Sequence, residues 1–306
     1  MTPRACVWRL CGGTCPTEKV PNAQVEGWAV RALIRSSLVS MILIVAVSAS
    51  ARGDLYFNGF ETNTHDWSAG VARVPSGTGG ISSSSGSFHA QAGNGDFTRW
   101  GGYNFGAGNA VPTPFQPYST SVDIYLNVNG GWANDTRFDF SSAINNNLGT
   151  HRRDFIFNGG FYNDATGPGA NTNRFVISAS NNSQPGSAFA KNPARDPIAI
   201  GTSGWYTFGH RFYDNNGVLA VEMTITDASS NLIHSWTLSD PSDLIGLIGG
   251  NRYGWFDYSQ FPTLGIDNAR LTLAQPTAVP EPASLVLWGL GMVGGLAAAR
   301  LRRKAS

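Results

Sequence analysis

The stretch Gly204-Trp205-Tyr206-Thr207-Phe208-Gly209-His210-Arg211-Phe212-Tyr213-Asp214-Asn215-Asn216-Gly217-Val218-Leu219-Ala220-Val221-Glu222-Met223-Thr224-Ile225-Thr226-Asp227 decides the fold. Leu219, Val221, Met223 and Ile225 alternate with polar or small residues. That is the period of a half-buried strand, not of a helix. Asp214-Asn215-Asn216-Gly217 is a hairpin turn, because Asn and Gly accept the positive φ that a tight strand connection needs. Asp227-Ala228-Ser229-Ser230-Asn231 repeats that chemistry before Leu232, His234, Trp236 and Leu238, with His234 as the polar exception. Three strands are therefore predicted to run as a meander from Trp205 to Leu238.

The same period recurs on both sides of the meander. Val122, Ile124, Leu126 and Val128 share one face of a strand beginning at Ser121. Further strands are predicted over Leu55–Phe60, Phe97–Phe105, Arg137–Ser142, Arg153–Phe157, Arg174–Ser178 and Leu264–Leu273. Pro75–Gly86 and Ser180–Pro197 read as loops, and Ser242–Leu247 as a short helical or turn-like insert. Many short strands with turn chemistry between them predict an all-β sandwich or barrel over residues 52–274. This body holds no cysteine; Cys6, Cys11 and Cys15 all precede it, and their spacing lacks a fourth zinc ligand.

The formal net charge is +1, but from Arg52 to Pro280 there are 12 Lys plus Arg against 17 Asp plus Glu, a balance of −5. A mildly acidic body without a basic stripe excludes nucleic acid as its partner. The positive charge sits near the ends. Arg31 and Arg35 precede the apolar run Leu38–Val47 and the small residues Ser48-Ala49-Ser50-Ala51. This order is that of a secretory signal. Residues 1–51 are thus assigned to an N-terminal extension and a signal peptide that signal peptidase cuts after Ala51. The segment before Arg31 is long for a basic region, and translation is expected to start near Val30.

At the other end, Val279-Pro280-Glu281-Pro282 opens the segment, Ala283–Ala299 carries no charge, and Arg300-Leu301-Arg302-Arg303-Lys304 closes it. Residues 275–279 read as a linker, and 283–299 as a single transmembrane helix with its basic end on the cytoplasmic side. The three parts, in this order, resemble the PEP-CTERM sorting signal of Gram-negative bacteria over residues 280–306. The resemblance implies handling by exosortase, with Pro280, Glu281, Pro282, Arg300, Arg302 and Arg303 as the sorting residues. It implies a transient inner-membrane anchor at 283–299, then delivery to the cell surface or matrix.

The body resembles the concanavalin A-like (laminin-G-like) jelly roll. The residues that carry this are Gly204–Phe208, Asn216-Gly217-Val218-Leu219, the closing Gly265-Ile266-Asp267-Asn268-Ala269-Arg270-Leu271, and the opening Phe57-Asn58-Gly59-Phe60-Glu61 before Trp67. Galactose-binding-type jelly rolls begin and end similarly. The resemblance implies that the first and last strands lie side by side. It also implies a structural calcium near Glu61 and Asp267, with Asn268 beside them.

A glycosidase of this fold needs two carboxylates facing one cleft. The body has two glutamates, Glu61 and Glu222, and no Glu-x-Asp-x-x-Glu; Asp139 and Asp154 are the cross-strand acids to compare. No catalytic residue is assigned. Sugar C–H faces stack on aromatic rings while hydroxyls bond to Asn, Asp and Arg. Three clusters offer both, carried by Trp100, by Trp132, and by Arg252, Tyr253, Trp255 and Asp257. The expected function is an exported, non-catalytic binder of extracellular polysaccharide. The alternatives are a concanavalin A-like glycoside hydrolase and a structural or adhesive biofilm component.

Overall fold

A computed structural model describes residues 54–65, 67, 70–93, 98–101, 114–181 and 189–273, with the backbone alone at 98–101, 250–255 and 257. The signal segment, the linker and the 280–306 tail lie outside the described residues. Among those described, no helix is long and apolar enough to cross a membrane.

Fourteen described strands form two antiparallel sheets. The meander is present as β10 (Gly204–Asn215), β11 (Val218–Asp227) and β12 (Leu232–Leu244). Asn216 and Gly217 take φ of 56° and 88°, the two left-handed positions of a primed hairpin turn, and Asp214 Oδ1 accepts the Gly217 amide at 2.6 Å. The second hairpin turns at Ser230 (φ 62°), and Asp227 Oδ1 accepts the amides of Ser229 and Asn231. Beyond the meander the first sheet continues through β5 (Tyr118–Leu126), β14 (Leu264–Leu273), β3 (Phe88–Ala92) and β2 (Val71–Pro75), with β1 (Asp54–Asn58) also paired to β14. The second sheet runs β4 (Thr98–Gly101), β13 (Ile248–Ser259), β6 (Thr136–Asn146), β7 (His151–Tyr162), β8 (Arg174–Asn181) and β9 (Ile198–Ile200).

Alternation decides what lies between the sheets. Val122, Ile124 and Leu126 of β5 and the four apolar residues of β11 are buried, as expected. From the second sheet, Phe138, Phe140, Phe155, Phe157 and Phe175 meet them. Phe208 contacts Phe157 edge-on at 5.1 Å and Phe138 at 6.1 Å, and Phe155 meets Phe212 at 5.6 Å. Burial of each such ring contributes about 1.5–3 kcal/mol, and the edge-to-face geometry adds to it. His210 lies in this core; its Nε2 pairs with the Phe155 carbonyl at 3.1 Å, and burial pushes its pKa down to about 3. The result is a jelly-roll β-sandwich.

Several sequence expectations are corrected. Leu232 is exposed, because a register shift between Ile225 and Thr226 turns the start of β12 outward. The Ser242–Leu247 insert is shorter than expected: β12 runs on to Leu244, and a single 3-10 turn covers Ile245–Leu247. β2, β3, β9 and β13 were not foreseen. Residues 97 and 102–105 of the expected Phe97–Phe105 strand lie outside the described residues.

The register fixes two poles. Leu126 pairs with Gly204, and Leu264 with Ala92, at one of them. At the other, Tyr118 pairs with Leu273 and Thr272 with Asp54, so both described chain ends emerge together.

Candidate functional site

A pocket of about 230 Å³ opens at the pole opposite the chain ends. One wall is Trp132, in the connection from β5 to β6. Its Nε1 donates to the Asn127 carbonyl at 2.8 Å, and its ring meets Phe261 edge-on at 5.2 Å. Gly130 passes so close beneath the indole that a Cβ there would lie 2.3 Å from Trp132 Cε2, so only glycine fits. Tyr125 also lines it. It stands on the outward face of β5, between the buried Ile124 and Leu126, and Trp205 supports it edge-on at 5.4 Å. Trp205 is fixed in turn by a 2.7 Å bond from Nε1 to the Ser82 carbonyl.

Gln91, Asn127 and Thr263 add polar groups to the lining, which among the described residues has no Asp, Glu, Lys, Arg or His. Asn127 Oδ1 accepts the Asn129 amide at 3.1 Å, which leaves its Nδ2 to donate. The pocket therefore presents aromatic faces and neutral hydrogen-bonding groups on a braced frame. That chemistry suits a polyol ring better than an ion. Of the residues singled out in the sequence, Trp132 lies here. Tyr125, Gln91, Asn127 and Thr263 were missed. Tyr125 had a readable signal, an aromatic on the polar face of a strand.

The other expected sugar contacts fall elsewhere. The β4–β13 register sets Trp100 opposite Gly254, Arg99 opposite Trp255 and Gly101 opposite Tyr253. Two clusters far apart in sequence thus share one strand pair at an edge of the second sheet. The side chains of Trp100, Arg252, Tyr253, Trp255 and Asp257 lie outside the described ones.

The calcium expectation meets a different arrangement. β1 and β14 do lie side by side. Asn268, at φ 50°, makes a bulge in β14 that keeps its side chain beside that of Asp267. Asp267 and Asp123 are register partners across β14 and β5, both buried under the serine-rich loop that follows Ile81. Asp267 Oδ2 accepts the amides of Ser84 and Ser85 at 3.0 and 3.2 Å, and Oδ1 accepts that of Asn268 at 2.8 Å. Asp123 takes the Ser84 hydroxyl at 2.7 Å, the Thr207 hydroxyl at 2.6 Å and the Asn268 amide nitrogen at 2.8 Å. Glu61 holds the far end of the same loop through the amides of Ser87 and Phe88. Glu61 and Asp267 thus serve one loop, but it turns N–H groups toward them. N–H groups are not cation ligands. Among the described residues no cluster of three or more acidic, His or Cys groups is placed to hold a metal. As arranged, the donor set fits a hydrogen-bonded brace and not a cation. Burial, then the Asp123 charge, push the Asp267 carboxyl up to about 6 against the pull of the three amides.

Asp139 and Asp154, the acids compared in the sequence, stand apart. β6 and β7 set Asp139 opposite Asn158 and Asp154 opposite Ala143, four positions apart along the ladder. Asp139 accepts from Asn158 Nδ2 at 3.0 Å, and Asp154 pairs with His151 at 2.7 Å. Glu222 faces outward and pairs with Arg211 at 3.2 Å.

No curated protein matches the sequence. Among solved structures, a carbohydrate esterase from the Shiga toxin-encoding bacteriophage phi24B is 12% identical, covers 74% of this chain and 100% of its own, and has a TM-score of 0.43. The CBM2 module of the evolved Dit of Lactobacillus casei BL23 phage J-1 is 11% identical, covering 72% and 96%, with a TM-score of 0.36. Basic winged bean lectin, solved with Tn-antigen, is 11% identical, covering 72% and 98%, with a TM-score of 0.36. None of these likenesses bears on what this chain binds. The tail is another matter: residues 278–304 match the PEP-CTERM protein-sorting motif, and the chain carries that motif.

Proposed function

We propose that this exported, PEP-CTERM-sorted protein binds extracellular polysaccharide in the pocket between Trp132 and Tyr125, and does not cleave it. The observation that carries the reading is the pocket itself: two aromatic walls, a neutral polar lining and a fixed backbone frame. The lining is neutral among the described residues, which suits the binding of an uncharged ring. The partners of export in this reading are signal peptidase at Ala51 and exosortase at Pro280-Glu281-Pro282, with Arg300, Arg302 and Arg303 on the cytoplasmic side. The 283–299 span holds the protein in the inner membrane until release to the cell surface. Residues 52–274 then act as the binding domain.

A glycan array with the full chain tests this. The expected result is retention of uncharged glycans, lost at least tenfold in Trp132→Ala when binding is measured well below the variant's own thermal midpoint. The tenfold loss corresponds to about 1.4 kcal/mol, within the range of a stacked aromatic contact. Release of reducing sugar by the wild type would favour the hydrolase alternative. Binding unaffected by Trp132→Ala would move the site to the β4–β13 edge.

A further inference from the structure

The pole that releases the chain ends carries three exposed leucines on neighbouring turns. Leu148, in the β6–β7 hairpin, is 66% exposed; Leu244 and Leu247, beside the 3-10 turn, are 46% and 47% exposed. Backbone bonds hold these turns together. Asn147 donates its amide to the Leu247 carbonyl and its Nδ2 to the Gly246 carbonyl, each at 3.0 Å, and the Ile245 amide donates to the Gly217 carbonyl at 2.9 Å. The leucines thus stand outward on a fixed frame. Clustered exposed apolar side chains of this kind mark a contact surface.

The tail says what that surface faces. β14 ends at this pole with Leu273, and nine residues, 274–282, separate it from Ala283. Nine extended residues reach at most about 30 Å. While Ala283–Ala299 spans the bilayer, the leucine-bearing pole is therefore tethered within that reach of the lipid surface. Leucine side chains partition into the boundary between headgroups and acyl chains. We propose that Leu148, Leu244 and Leu247 rest on the lipid surface while the tail is anchored, so that the pocket points away from the membrane. This rests on the reading of 283–299 as a membrane span.

The test uses the processed chain, Arg52 to Ser306, which holds no cysteine, reconstituted into phosphatidylethanolamine–phosphatidylglycerol vesicles. An environment-sensitive fluorophore is attached at Leu148→Cys or, as a reference at the pocket, at Thr263→Cys. Leu247→Cys repeats the measurement should Leu148→Cys fold poorly. The expected result is co-flotation with vesicles, a blue-shifted emission at Leu148→Cys, and quenching there by nitroxide lipid several-fold above that at Thr263→Cys. Equal quenching at the two positions in a chain that floats overturns the docking proposal alone. A chain that fails to float overturns the membrane-span reading and this proposal with it. A blue shift that grows with protein concentration in lipid-free detergent assigns the leucines to a second copy and overturns the proposal.

Discussion

Two buried carboxylate sites in this sandwich are neutralised in opposite ways. Asp243, near the end of β12, is fully buried between cations: Arg152 Nε reaches its Oδ1 at 2.5 Å, Arg153 Nη2 the same oxygen at 3.2 Å, and Arg153 Nε its other oxygen. Asp240 adds a second acid to Arg153 at 3.4 Å. Asp267 and Asp123 have no cation among the described groups bonded to them. They face each other and are satisfied by amides and hydroxyls. The first site binds β12 of one sheet to β7 of the other, and full charges do it. The second closes a loop beside the pocket, and neutral donors do it, at the cost of a raised carboxyl pKa. Charge is spent on joining the sheets; dipoles suffice to hold a loop.

That contrast can be broken first at Asp243. Asp243→Ala leaves Arg152 and Arg153, partly and largely buried, with only Asp240 as a counter-charge, and is expected to cost about 3–5 kcal/mol in urea unfolding. A loss under about 1 kcal/mol would show that the ion pairs do not join the sheets. Asp267→Asn is expected to have a smaller effect at neutral pH, because it removes a charge that burial opposes. Its signature is the pH profile. The folded pKa of about 6 lies above the ordinary 3.8, so this group's contribution is fully present below pH 3.8 and is lost as pH rises through about 6. His210 runs the other way: its folded pKa of about 3 lies below 6.5, so its contribution is present above pH 6.5 and lost as pH falls toward 3. Between pH 3.8 and 6 the two slopes oppose each other. Asp267→Asn should therefore expose a steeper acid destabilisation in thermal melts, and an unchanged slope would refute the assignment.

Calcium sharpens the same comparison. Amides already fill the carboxylates of Asp267 and Glu61, so the thermal midpoint should be the same in calcium and in chelator; a rise with calcium would mean that the serine loop turns its carbonyls inward instead. The smallest effect is expected at Glu222→Gln. This acid pairs with an exposed arginine on the sheet surface, and its loss should cost no more than about 0.5 kcal/mol.

Much of the fold was legible because it is written locally. The meander needs an alternating run and an Asn-Gly turn, and both stand within 24 residues from Gly204 to Asp227. β13 was hidden because Gly249, Gly250 and Gly254 dilute its alternation, and its aromatics read as a ligand cluster. β2 was hidden by its brevity and by Pro75 at its end. The pocket was half legible. Trp132 after Gly130-Gly131 stood out, whereas Gln91 and Thr263 reach it only through strand pairings that no local pattern encodes. The Asp123–Asp267 pairing spans more than half the body, so no spacing rule reaches it. The pairing of first and last strands did come from the jelly-roll resemblance, which is a statement about topology and not about local sequence.

One strand ties these regions together mechanically. β14 begins at Leu264 and Gly265, which line the pocket, and ends at its tenth residue, Leu273, where the tail leaves. A polysaccharide gripped at one end and a membrane anchor at the other would load this strand along its length. Its hydrogen bonds to β5, β3 and β1 then resist in parallel, as a lap joint does under shear, and do not peel one at a time.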